Sequence, residues 1–218
     1  MTGDRSVWRR VGDAWRGGGA AAVVRSVLLR IGGVRQVLLL AAPASDLPAD
    51  DNGSVTFEWV SRETFDREVA TPAFQFPPAA ARSARRWLDR GDRCLLGRVD
   101  ARPATYLWVA TSVREFPGAP CPIGPGTAYV YKTFTLPAFR GQGLNTAALR
   151  EARRRCAMEG YRQVLIDVAS NNTASRRAIE RAGFVQVGRF LLLRLGTRRR
   201  AWMTASAIRR ISGTGGTT

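Results

Sequence analysis

From Ser6 to Arg16, the side chains of Trp8, Val11 and Trp15 fall on one helical face, with Arg9, Arg10, Asp13 and Arg16 opposite. Gly17-Gly18-Gly19 interrupts this pattern. A second one follows, placing Val23, Val24, Val27, Leu28 and Ile31 together and Arg25 and Arg30 off the face, and Gly32-Gly33 stops it. Gln36–Ala42 reads as a strand, and Val55–Val60 as a second one that alternates Val55, Phe57 and Trp59 with Thr56 and Glu58. Ser45–Gly53, with Pro48, is a polar linker between them. Arg62–Ala70 looks helical, and Pro77-Pro78 starts a helix ending at Gly91. Cys94–Val99 and Thr105–Ala110 flank Asp100-Ala101-Arg102-Pro103, a hairpin signal. Phe116–Gly126, rich in Pro and Gly, reads as a loop over a cleft. Then come strand Ala128–Leu136, helix Leu144–Glu159 stopped by Gly160, strand Val164–Val168, helix Thr173–Ala182 stopped by Gly183, and strands through Phe184–Leu195.

The order β-α-α-β-β-β-α-β-α-β, with an N-terminal addition, predicts an α/β (α+β) sandwich: a mixed sheet with helices on its faces. Three segments follow: a basic amphipathic extension over residues 1–33, one domain over 34–211, and a Gly/Thr-rich loose tail over 212–218.

Composition narrows the chemistry. The 218 residues hold 45% hydrophobic side chains, enough for a sizeable core. Lys and Arg number 34 against 17 Asp and Glu, a formal charge of +17, and Lys132 is the one lysine. That excess attracts anionic lipid, nucleic acid or a phosphorylated ligand. There is no histidine, so a His-based triad, a His metal ligand and a His general base are excluded together. Cys94 and Cys156 read as core thiols of a reducing, cytoplasmic compartment. No apolar run reaches the roughly 20 residues of a spanning helix, and the arginine-bearing N-terminus does not read as a secretion signal. Basic helices carrying tryptophan over residues 1–33 suit the inner face of an anionic membrane, or a helical hairpin packed on the domain or on a second copy in a homodimer.

Arg140-Gly141-Gln142-Gly143-Leu144-Asn145 is the most informative stretch. It joins an apolar strand to a long helix. Free N–H groups and the dipole at a helix start favour an anion, and glycines allow close approach and positive φ. The hexapeptide points to a phosphate-bearing ligand.

Two motifs give the chain its resemblance to the GNAT superfamily of acyl-CoA N-acyltransferases. The first is Thr135-Leu136-Pro137-Ala138-Phe139-Arg140-Gly141-Gln142-Gly143-Leu144-Asn145. The second is Asn172-Thr173-Ala174-Ser175, on a helix running through Ala182 to Gly183-Phe184. Each is weak alone; their order, spacing and intervening helix and strand are strong together, and the resemblance covers about residues 55 to 195. Asn145 departs from the pattern, standing where the family has a small Gly or Ala.

The resemblance implies a mostly antiparallel sheet with helices on both faces and splayed central strands. It implies acetyl-CoA, or another acyl-CoA, as co-substrate, and no metal. The implied binding set is Thr133, Phe134, Thr135, Arg140, Gly141, Gln142, Gly143, Leu144, Asn145, Thr146, Asn172 and Ser175. The amides of Gly141–Asn145 hold the pyrophosphate, a backbone N–H near Thr135 meets the thioester carbonyl, and Asn172 contacts the pantetheine arm or caps its helix. Asp167 takes the slot of a base working through water, or is a solvated carboxylate on a strand, or a partner for a nearby arginine. Many family members place an acid tyrosine seven residues after the motif asparagine; here that slot is Ile179, and Tyr129 or Tyr131 is left as a substitute. The implied activity is acyl transfer to a primary amine: a small amine, a sugar amine or a protein N-terminus. The alternative is an acyl-CoA-binding module without transfer. Basic and aromatic residues are not organised into a nucleic-acid motif.

Overall fold

The computed structural model describes residues 33–45, 55–69, 78–116, 119–195 and 198–213. The amphipathic patterns before Gly33, most of the linker and the tail beyond Gly213 lie outside the described residues. The elements are β1 Val34–Pro43, β2 Val55–Trp59, α1 Arg62–Val69, α2 Pro78–Asp89, β3 Arg93–Val99, β4 Arg102–Ala110, β5 Val113–Phe116, β6 Ala119–Pro122, β7 Thr127–Thr135, α3 Leu144–Met158, β8 Gln163–Ala169, α4 Thr173–Arg181, β9 Val185–Leu195, β10 Arg198–Met203 and α5 Ala205–Ser212.

Eight strands form one sheet in the order β10-β9-β1-β8-β7-β4-β3-β2. β7 and β8 are parallel; the other neighbours are antiparallel. This is the mixed sheet that the element order predicts, mostly antiparallel as the resemblance implies. β1 sits in mid-sheet, paired with β8 on one side and β9 on the other. Its unbroken apolar run follows from that place, because both faces are covered. Leu38 and Leu40 join α3 and α4, while Val37 and Leu39 join the side of α1, α2, α5 and the β5–β6 hairpin.

Arg153 fastens α3 to its surroundings. It is buried yet carries no ion pair among the described residues; Nε donates to the Pro43 carbonyl at 3.0 Å and an Nη to the Ala182 carbonyl at 2.6 Å. The second of these acceptors lies at the C-terminal end of α4, where a cation is favoured by the helix dipole. Cys94 and Cys156 are buried, as expected of core thiols, and burial pushes the Cys156 thiol up to about 12.

Three expectations need correction. The β3–β4 turn is Asp100-Ala101 alone, with φ +48° and +62°; Arg102 already pairs with Val99 and Pro103 with Arg98. Two consecutive positive φ values match the twist of a hairpin. The supposed loop Phe116–Gly126 begins inside the β5–β6 hairpin, which stacks on the sheet through Phe116 against Tyr129 and Phe190. Beyond Leu195, β10 and α5 follow, so Ser212 belongs to a helix and not to the tail. α5 clamps the segment after the hairpin: Gly124 N–H donates to the Ile211 carbonyl at 2.8 Å. A Cβ on Gly124 would lie 2.2 Å from the Ser212 carbonyl oxygen, so only glycine fits there.

Candidate active site

β7 and β8 are paired over only Thr127–Val130 and Gln163–Ile166. Beyond that, β7 stays bound to β4 as far as Thr135, and β8 stays bound to β1 as far as Ala169. The two strands therefore part into a fork past Val130 and Ile166. On the β4 side, Trp108 faces Tyr131 while Tyr106 faces Phe134, so β7 holds one extra residue between these pairs. Lys132, at φ +52°, lies in this bulge, which re-aims the backbone around Thr133 at the fork.

The end of β7 is fixed from behind. Thr105, fully buried, donates to the Phe134 carbonyl at 3.0 Å and meets the Thr135 hydroxyl at 3.1 Å. Arg140 donates from Nε to the Thr135 carbonyl at 3.3 Å. After a short 3₁₀ turn at Pro137–Phe139, Gly141 and Gly143 take φ +81° and +77°, and α3 begins at Leu144. A Cβ on either glycine would meet nothing within 4 Å. These positions need glycine for backbone conformation, and open space lies beside them. Leu144 is buried and anchors the helix, leaving the polar backbone of the turn outward.

The starts of the two helices beside the fork differ. Asn172 caps α4 with its Oδ1, which accepts from the Ser175 N–H at 3.2 Å. Gly143 caps α3 without a side chain, so the first N–H groups of α3 have no side-chain acceptor. Thr146 gives its hydroxyl to the Ala178 carbonyl at 3.3 Å, tying α3 to α4. Asn145 keeps a buried Oδ1 with no hydrogen-bond partner. Ile179 is 1% exposed and part of the core, so no proton donor stands in that slot.

Tyr131 and Asp167 are the first residues past the last β7–β8 pair, and a side-chain network surrounds them. The Tyr129 hydroxyl donates to Asp167 Oδ1 at 3.0 Å, and an Nη of Arg114, from β5, reaches the same oxygen at 3.2 Å. The Arg114 guanidinium lies 4.9 Å from the Tyr131 ring centre and 4.8 Å from that of Phe116. The Tyr131 hydroxyl donates to Asp92, which also receives Arg90; Arg90 reaches Glu115 at 2.6 Å. Burial, and next the Asp167 charge, raise the Tyr129 phenol well above its ordinary value; burial and the Asp92 hydrogen bond do the same to Tyr131. Burial opposes the charge on Arg114, but Asp167 and the two tyrosines together hold its guanidinium above its ordinary value.

The structure thus brings Thr133–Thr135, the Arg140–Thr146 turn and Asp167 around one fork. Tyr131, a substitute for the acid in the sequence reading, gives its O–H to Asp92. Asp167 pairs with Arg114, one of the roles the sequence left open for it. Sequence reasoning missed Arg114, Asp92 and Arg90. The signal for Asp92 was slight: a carboxylate directly after Gly91, at a strand start. Arg114 lies in a strand of four residues, too short for a period to show.

A sequence-family model described as "Acetyltransferase (GNAT) family" matches residues 56–184. No curated protein sequence matches the chain. Among solved structures, the fold is similar to a GCN5-related N-acetyltransferase from Sphaerobacter thermophilus, with 19% identity and a TM-score of 0.53 over 86% of this chain and 58% of that one. It is also similar to an acetyltransferase from the GNAT family from Colwellia psychrerythraea, with 14% identity and a TM-score of 0.51 over 84% and 62%. A conserved protein from Staphylococcus epidermidis, described as functionally unknown, gives 15% and 0.52 over 78% and 65%. The alignment spans less than two thirds of each of these three structures. The fork, the bulged strand and the glycine turn ahead of α3 lie inside the matched segment, and the chain belongs to the GNAT acetyltransferase family.

Proposed function

We propose that this protein moves an acetyl or other acyl group from acyl-CoA to a primary amine by direct attack within a ternary complex. The observation that carries this reading is the junction of the β7–β8 fork with an α3 start that no side chain caps. The arrangement fits coenzyme A: open, positive-φ glycines ahead of free helix amides suit a pyrophosphate, and the fork suits an extended arm. Amides from Gly141 to Thr146 would hold the pyrophosphate, backbone at Thr133–Thr135 would pair with the arm, and Asn172 and Ser175 would line its far side. The amine would attack the thioester carbon of the bound acyl-CoA; as the C–N bond forms the C–S bond breaks, and coenzyme A leaves as a thiolate that takes a proton from solvent. A backbone N–H near Thr135, past the β7 bulge, would meet the developing oxyanion, and such donors are usually the largest single catalytic contribution. Asp167 accepts the proton leaving the amine through a water, using the oxygen not engaged by Tyr129 and Arg114.

Ile179 in the core and Tyr131 bound to Asp92 favour one second reading, an acyl-CoA-binding module without transfer. Thiol release from acetyl-CoA, followed with a panel of primary amines and with mass detection of the acylated product, separates the two. Amine-dependent release that falls in Asp167→Asn supports the transferase. Tight acetyl-CoA binding with no amine-dependent release supports the module. No binding of acetyl-CoA at millimolar concentration sinks both.

A further inference from the structure

We propose that Arg114 sets the acceptor specificity: the preferred acceptor is an amine that also carries an anionic group, a carboxylate or a phosphate. This rests on the transferase reading and names the class of its second substrate. Tyr131 and Asp167 bracket the point where the fork opens, and by the two-residue period of a strand Asp167 shares the face of Leu165, which is the side of α1, α2 and the β5–β6 hairpin. Arg114 lies between them, bonded to Asp167 and stacked near the Tyr131 ring. It comes from outside the main sheet, on a hairpin that Arg90–Glu115 and Phe116 pin in place. An amine approaching the fork from this side passes a fixed guanidinium whose side chain is 16% exposed.

Two features select the charge of that amine. The carboxylates around the opening, Asp92, Glu115 and Asp167, each already face an arginine, which offsets their pull on a second ammonium. Arg114 is not saturated: one Nη serves the Glu115 carbonyl and the other Asp167, while its Nε is buried without a hydrogen-bond partner. A guanidinium is a permanent cation whose planar fork of donors matches carboxylate and phosphate oxygens. It repels a polycationic acceptor and attracts an anion tethered to the amine. The formal charge of +17 steers in the same direction.

The test is calorimetric binding to the full chain loaded with coenzyme A, which needs no turnover. L-phenylalanine against phenethylamine isolates a carboxylate; glucosamine 6-phosphate against glucosamine isolates a phosphate; kanamycin is the polycation. The expected result is at least tenfold tighter binding of the anionic member in one pair, no binding of kanamycin, and loss of the difference in Arg114→Gln with part regained in Arg114→Lys. Equal or weaker binding of the anionic member in both pairs overturns the proposal, as does tight binding of kanamycin or a preference that survives Arg114→Gln. Should Arg114→Gln not fold, the wild-type pairs decide alone. Anion preference without thiol release in the transfer assay defeats the transferase reading and leaves this binding claim standing; thiol release without anion preference does the reverse.

Discussion

The two sides of the fork are built from different materials. Toward α3 the site is backbone: Gly141 and Gly143 at positive φ, uncapped amides, and a bulged strand edge. Toward α1, α2 and the hairpin it is side chains: Arg90, Asp92, Arg114, Tyr129, Tyr131 and Asp167, gathered from separate elements. Backbone recognition depends little on side-chain identity, so the proposed reading accommodates Asn145 in the turn. A side-chain network has no such tolerance, since each group is the partner of another and a lost partner leaves a buried charge or donor unmatched. Under the proposed function the difference divides the labour: the backbone side would take the pyrophosphate and the side-chain side would meet the acceptor.

Substitutions on each side test that division. Gly143→Val forces a β-branched residue to φ +77°. It is expected to weaken acetyl-CoA binding about a hundredfold, a few kcal/mol of strain and lost amide geometry, measured by calorimetry. Unchanged binding would break the comparison at its backbone half. Asp167→Asn, on the other side, is expected to lower kcat about a hundredfold with acetyl-CoA affinity unaltered, the scale of a lost general base. A matching loss in affinity would show that the two sides are not separate. Tyr131→Phe removes the hydroxyl from Asp92 but leaves Arg90 in place. Denaturant unfolding should give a loss of about 1–2 kcal/mol, the cost of a buried acceptor losing one donor. The smallest effect is expected from Asn172→Ala, which deletes the α4 cap. It should cost about 1 kcal/mol of stability and lower Tm by a few degrees. A large fall in acetyl-CoA affinity there would move Asn172 from helix cap to ligand contact.

The same division explains what was legible in the sequence. The turn is contiguous: Pro137, Gly141, Gly143 and the helix from Leu144 stand in one short run between a strand and a helix, and every part carries a local signal. The fork was legible only through resemblance, because a parting of strands leaves no mark in either strand's own periodicity. The mid-sheet place of β1 has no local signal either, since the pairing of Leu40 with Ile166 and Gln186 joins segments far apart in the chain. β5 and β6 are four residues each, Pro117-Gly118 stands between them in sequence and β6 holds two prolines, so Phe116–Gly126 read as a loop and Arg114 went unnoticed. α5 is eight residues long and follows directly on β10, which left it hidden in the C-terminal stretch. Asp167 and Tyr131 were singled out through the resemblance; the identity of their partners was not legible, because ion pairs such as Arg114–Asp167 span 53 residues.

A crystal structure of the protein with coenzyme A measures the central claim most directly. The account predicts pyrophosphate oxygens within hydrogen-bond distance of the amides between Gly141 and Thr146, and the thiol between β7 and β8 beside Asp167. Coenzyme A bound elsewhere, or with its pyrophosphate on side chains away from the start of α3, would contradict it.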